Sequence, residues 1–150
     1  TASVTVAYSS LYDAHNYAIS SIPLHRSRPS QWQVEVVHLP YGCGIMFGII
    51  GNKKPVSSSC FEITCFSWGD DNDVWVAGSL HQKYLGSWDG WKAGDKGIFA
   101  YSPSCATLFL RLLREGDVRE FYIDNNNLPD GAFVHLNFYY GTTVRFSRAV

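Results

Sequence analysis

Trp32-Gln33-Val34-Glu35-Val36, with Met46-Phe47-Gly48-Ile49-Ile50-Gly51 after it, decides the fold. Trp32, Val34 and Val36 alternate with Gln33 and Glu35, the two-residue period of a half-buried strand. The second run is apolar throughout and ends at a glycine, as expected for a strand covered on both faces. Neither run carries a catalytic group. Together they point to a β-sandwich scaffold, on which function usually sits in loops.

Working outward, strand signals recur near Ser3–Tyr8, Tyr17–Ile19, Gln31–His38, Ile45–Ile50, Phe61–Phe66, Val74–Ala77, Gly97–Tyr101, Thr107–Leu113, Glu120–Ile123, Ala132–Phe138 and Thr142–Phe146. Turn residues separate them, among them Pro40-Tyr41-Gly42, Gly69-Asp70-Asp71-Asn72, Glu115-Gly116-Asp117 and Pro129-Asp130-Gly131. Many short strands with regular turn signals indicate an all-β sandwich or barrel. A short turn around Tyr12–Tyr17 is the one helical candidate. With no internal repeat, linker or low-complexity segment, residues 1–150 read as one domain. Pro23–Ser30 is a loop, because its two prolines block ladder hydrogen bonds.

Apolar residues make up 46% of the chain and charged residues 17%, a globular composition. The formal net charge of −1 gives no global field toward nucleic acid or anionic membrane. No apolar run approaches the length of a transmembrane helix. The chain begins at Thr1 without a signal-peptide pattern and reads as a piece of a longer protein. Cys43, Cys60, Cys65 and Cys105 lie in apolar or strand-like surroundings and read as buried reduced thiols, with a Cys60–Cys105 disulfide as the alternative. No Asn-x-Ser/Thr acceptor occurs, which favours an intracellular protein, cytoplasmic or nuclear.

The ordered segments carry a family resemblance. Trp32–Val36 resembles the Trp-Glu-Val-Glu strand of SPRY domains, with Gln33 in place of a glutamate. Gly44–Gly51 resembles the strand that follows it in that family, and Val74-Trp75-Val76 the middle strand. Lys96–Leu110 is similar to the family's V-G-V-F-L-D-Y-E-x-G-x-L-S-F-Y segment, with Ala100-Tyr101-Ser102-Pro103 standing for Leu-Asp-Tyr-Glu. Ala132–Phe138 and Gly141–Phe146 resemble the last two strands, so the likeness runs in order from Gln31 to Arg148. The upstream motif of the extended form is absent. The resemblance implies a bent, antiparallel, two-sheet β-sandwich. It also implies a non-catalytic protein-interaction role, as in the recognition arms of ubiquitin-ligase, immune and signalling proteins.

Catalytic signatures are missing: there is no Gly-x-Ser-x-Gly elbow, Walker loop or His-Glu-x-x-His. His15, His25, His38, His81 and His135 lie at no metal-ligand spacing to one another or to a cysteine. His38 and His135 read as structural. Asp70-Asp71-Asn72-Asp73 offers oxygen ligands but lacks the EF-hand pattern, so it reads as a solvated turn or an acidic loop for a basic peptide. No enzyme activity, metal or cofactor is expected.

Gly78–Trp91 is polar enough for a loop yet carries Tyr84, Trp88 and Trp91, aromatics of the kind that anchor binding surfaces. The resemblance places this segment and Trp75 at or beside the peptide-binding face. Trp88, between Ser87 and Asp89-Gly90, is expected to be exposed; Trp91 and Trp32 are expected in the core, and Trp75 in either place. Arg26 and Arg28, in the loop before the Trp32 strand, suit an acidic partner. The expected partner-binding set is Arg26, Arg28, Trp68, Asp70, Asp71, Trp75, His81, Lys83, Tyr84, Trp88 and Asp89, converging at one edge of the sandwich. Other readings remain open. A platform of Trp88 and Trp91 would stack on sugars. A stripe of Arg111, Arg114, Arg119, Arg145 and Arg148 would hold RNA or single-stranded DNA. In an oligomerising domain the loop aromatics would instead bury a subunit contact.

Overall fold

The computed structural model describes residues 5–8, 16–21, 23–24, 30–40, 44–54, 59–82, 84, 88–138 and 141–149. Twelve strands occur among them, and all their pairings are antiparallel. In chain order these are β1 (Thr5–Tyr8), β2 (Asn16–Ile19), β3 (Ser30–His38), β4 (Ile45–Ile50), β5 (Phe66–Trp68) and β6 (Asp73–Val76). There follow β7 (Ser79–Gln82), β8 (Lys96–Ser102), β9 (Thr107–Arg114), β10 (Asp117–Asp124), β11 (Phe133–Phe138) and β12 (Thr143–Arg148). One sheet runs β1-β12-β3-β8-β9-β10 and the other β2-β11-β4-β5-β6-β7. The expected all-β, antiparallel, two-sheet sandwich is the architecture.

The two deciding strands behave as their patterns dictate. In β3, Val34 and Val36 turn into the space between the sheets, while Gln31 and Gln33 face solvent. Trp32 is half-buried and packs against Phe146, with ring centroids 6.3 Å apart. Every residue of β4 is buried. Its Ile45, Phe47 and Ile49 join the main core. Met46 and Ile50, on the other face, form a second small cluster with Cys65. Gly48 in the middle of β4 must be glycine, because a Cβ there would stand 1.9 Å from the Phe66 carbonyl oxygen.

Three expectations need correction. Phe61–Phe66 is not a strand: Ser59–Phe61 is a short 3-10 turn, and β5 begins only at Phe66. Its apolar residues imitate strand alternation, but the segment crosses the outside of the second sheet, and Phe61 and Ile63 face water there. Ser79–Gln82, read as loop, is the edge strand β7. All four of its side chains are exposed, so no burial period marked it. Cys105 is exposed and Cys60 half-buried, and both are free thiols, so the Cys60–Cys105 disulfide is not formed. Arg26, Arg28, Lys83, Cys43, residues 12–15 of the helical candidate and most of the Pro23–Ser30 loop lie outside the described residues, and the candidate's last two residues, Asn16 and Tyr17, begin β2 instead. No helix among the described residues is long and apolar enough to cross a membrane.

Candidate interaction surface

At one end of the sandwich the turn between β5 and β6 meets the segment leading into β8. Gly90 takes a positive φ of 84° and its backbone lies so close to Asp71 that a Cβ would come 2.5 Å from the Asp71 amide nitrogen. Trp88 donates its indole N–H to the Gly69 carbonyl at 3.1 Å, and Trp91 donates to the Trp68 carbonyl at 2.9 Å. The two rings meet edge-on at 5.1 Å, and Trp88 also meets Phe121 at 5.1 Å. Trp91 is in the core as expected. Trp88 is only 2% exposed, and Trp68 is stacked on Phe99 in the same core. Both corrections have one cause. The two sheets leave an open end that large rings must fill, and a backbone carbonyl accepts each indole proton, so burial leaves no polar atom unpaired. A sugar-stacking platform of Trp88 and Trp91 is therefore not present.

Beside them lies a buried ion cluster that the sequence did not reveal. Arg114, at the end of β9, donates to both carboxylate oxygens of Asp95 at 2.8 and 2.7 Å, to Asp89 at 2.8 Å and to the Gly90 carbonyl at 2.6 Å. The Asp95 hydrogen bonds raise the Arg114 pKa, burial opposes them, and Asp89 adds to the rise. Partial burial pushes Asp89 up, but hydrogen bonds from Lys92 and Arg114 outweigh it and hold the carboxyl below its usual range. Asp89 is exposed, yet its oxygens face Arg114, Lys92 and Arg119. It ties this end of the sandwich together. The arginine stripe is likewise largely neutralised: Arg111 pairs with Glu120, Arg119 with Asp117, and Arg145 with Glu35.

The outer face of the second sheet is different. Residues 59–64 cross it and are pinned by a buried polar group. Ser59 Oγ lies 2.9 Å from His135 Nε2, and Asn137 donates to the same oxygen at 3.2 Å. Burial lowers the His135 pKa to about 3, so the ring is neutral. Ser59 and His135 have the spacing of a nucleophile and its base. Both are 0% exposed, so no substrate reaches them, and the pair serves as an anchor. Nearby, burial pushes the Cys65 thiol up to about 12, which leaves it protonated against Ser67.

The anchored segment displays Phe61 at 66% and Ile63 at 74% exposure. Phe61 meets the half-buried Trp75 edge-on at 5.0 Å. Trp75 on β6 stands opposite Leu80 on β7, which is also exposed. Phe61, Trp75 and Leu80 thus form an apolar ridge on one face, with exposed Ile63 two residues from Phe61 in the same segment. The acidic turn adjoins it, closed by backbone bonds from Gly69 N–H to Asp73 O at 2.8 Å and from Asp73 N–H to Asp70 O at 3.1 Å. Between ridge and turn lies a cleft of about 150 Å³, lined by Gly44, Ile45, Met46, Cys60, Asp70, Asp73, Trp75 and Asn137. Burial raises the Asp70 pKa, a backbone hydrogen bond opposes it, and the charges of Asp71 and Asp73 raise it further.

Of the expected set, the fold brings Asp70, Asp71 and Trp75 to this face. Strand alternation puts His81 on the opposite side of β7 from Trp75 and Leu80. There it meets Tyr84 edge-on at 5.5 Å, and Tyr84 donates to the Asp124 carbonyl at 3.4 Å. Phe61, Ile63 and Leu80 were not anticipated. The signal available was their apolar character in segments too short or too polar to be interior strands. Among the described residues no group of three or more His, Cys, Asp or Glu side chains could hold a metal ion.

No protein-family model matches the sequence, and no curated protein matches it either. Solved structures do. The SPRY domain of human HERC1 superposes with a TM-score of 0.64 at 14% identity, over 91% of this chain and 84% of that one. A human SPRY domain gives 0.62 at 13% identity, over 97% and 96%. Lectin II from Ulex europaeus gives 0.58 at 12% identity, over 98% and 87%. At such identities the likeness is one of fold, and the fold is SPRY-like.

Proposed function

We propose that this chain is a non-catalytic protein-interaction module that recognises a peptide or protein surface on the outer face of the second sheet. The observation that carries this reading is the Phe61–Ile63 ridge. Two large apolar side chains project into water from a segment whose root is held by buried hydrogen bonds, so their exposure is built into the fold. Exposed apolar area rimmed by polar groups is characteristic of an interaction site. Asp70, Asp71 and Trp75 are the members of the expected set that belong to it. His81 contributes only if the ligand wraps around the β7 edge. Arg26, Arg28 and Lys83 are assigned to the same role from their loops.

The SPRY-like fold supports a protein partner, with the domain acting as the recognition arm of a larger scaffold or ubiquitin-ligase-type protein. The free thiols Cys60, Cys65 and Cys105 fit an intracellular setting. The experiment is quantitative capture from cell extract with the wild-type chain, a Phe61→Ser/Ile63→Ser variant and a control variant, Val118→Ser. Val118 is exposed on β10, in the other sheet. The proposal requires partners that the control retains and the double variant loses. An unchanged partner set in the double variant refutes it.

A further inference from the structure

We infer that the partner segment seated on this face inserts one arginine or lysine side chain into the cleft beside Trp75, with its apolar residues lying over Phe61 and Ile63. The inference rests on the reading of the face as an interaction surface and adds the chemistry of the occupant.

Three features of the cleft select that side chain. Its volume of about 150 Å³ is below the roughly 300 Å³ at which small-molecule sites begin, so it suits one inserted side chain rather than a free ligand. Its apolar lining of Ile45, Met46, Cys60 and Trp75 matches an aliphatic stem, which long cationic side chains bury while keeping the charge at the rim. Asp70 and Asp73 line the same cleft, with Asp71 next to Asp70 in the chain. Among the described residues no Lys or Arg lies within ion-pair distance of any of the three carboxylates, and the Asp73 carboxylate accepts a hydrogen bond from Gln82 alone, at 3.4 Å.

Asp70 is partly shielded from water and faces two like charges, an arrangement that an incoming cation relieves. The Trp75 ring adds attraction for a cation above its face. An acidic or neutral inserted residue gains none of this, and an acidic one meets repulsion. The apolar ridge outside the cleft then calls for Leu-, Ile- or Phe-like neighbours in the same segment.

The chain contains a single methionine, Met46, and it lines the cleft. Its ¹³C-labelled methyl group therefore gives one NMR signal that reports on this place alone. The probe is an equimolar pool of capped hexapeptides with a fixed central arginine and randomised leucine, phenylalanine or serine elsewhere. It is compared with the same pool carrying norleucine or glutamate at the fixed position. The inference predicts a saturable Met46 shift with the arginine pool. It also predicts roughly tenfold weaker binding of the norleucine pool and no shift with glutamate.

Asp73→Asn and Asp70→Asn, which change charge and hardly change shape, should reduce the arginine pool to the norleucine level while the thermal midpoint stays unchanged. Equal binding of arginine and norleucine pools overturns the cationic occupant but leaves the face intact. Peptide-induced shifts elsewhere with Met46 silent, or no shift at millimolar peptide, overturn the cleft as the point of insertion. A Met46 shift that follows protein concentration without peptide makes a second copy of the chain the occupant, and also overturns the inference.

Discussion

Acidification should weaken this fold through His135 in particular. The ring is wholly buried on the outer face of the second sheet, bonded to Ser59 through Nε2, with no partner for Nδ1 among the described residues. Burial lowers its pKa from 6.5 to about 3. The unfolded chain therefore binds a proton at pH values where the folded chain does not. Below pH 6.5 the unfolded state gains and stability falls; above it the contribution is constant. Each pH unit between those limits costs about 1.4 kcal/mol, which amounts to about 2 kcal/mol at pH 5 relative to pH 7.5. Carboxylates also titrate as the pH falls, so the assay is differential. Urea unfolding at pH 7.5, 6 and 5 is compared for wild type and His135→Gln, which keeps a hydrogen-bonding group near Ser59 and cannot ionise. The wild type should lose about 2 kcal/mol more than the variant over that range. Parallel stability curves would show that His135 takes up its proton in the folded state, and the anchor described for residues 59–64 would be wrong.

Two further perturbations probe the end of the sandwich. Asp95→Asn leaves Arg114 buried without its main counter-charge, and loss of one partner from such a pair costs about 3–5 kcal/mol, to be read as a lowered urea midpoint. Trp88→Ala should cost a similar amount, about 3–5 kcal/mol, because it opens a cavity between Trp91 and Phe121. A Trp88→Ala chain as stable as wild type would place that ring at the surface after all.

Much of the fold was legible because burial imposes period on sequence. Trp32–Val36 alternates because one side faces the core, and Ile45–Ile50 is apolar throughout because both faces are covered. The same logic explains the failures. Ser79–Gln82 is an edge strand with no buried face, so nothing in its sequence alternates. Phe61–Phe66 has the right composition for a strand but crosses the sheet from outside, where Phe61 meets Trp75 and both Phe61 and Ile63 stay exposed. Trp88 looked like a surface anchor because its flanks are polar. What decides its burial is the Gly69 carbonyl, nineteen residues away in sequence. Arg114 and Asp95 are also nineteen residues apart, and only the pairing of β8 with β9 brings them together. For the site, the acidic turn and Trp75 were visible as residue types, whereas the ridge beside them arises from the crossing segment.

The proposed interaction face is tested most directly by where a bound partner touches the chain. Hydrogen–deuterium exchange, measured on the chain alone and with a partner captured by the wild type and lost by Phe61→Ser/Ile63→Ser, locates that contact. Protection concentrated in residues 59–64 and 70–82 is the predicted result. Protection confined to the β9–β10 hairpin or to β12 and β3, with residues 59–82 unchanged, would contradict it.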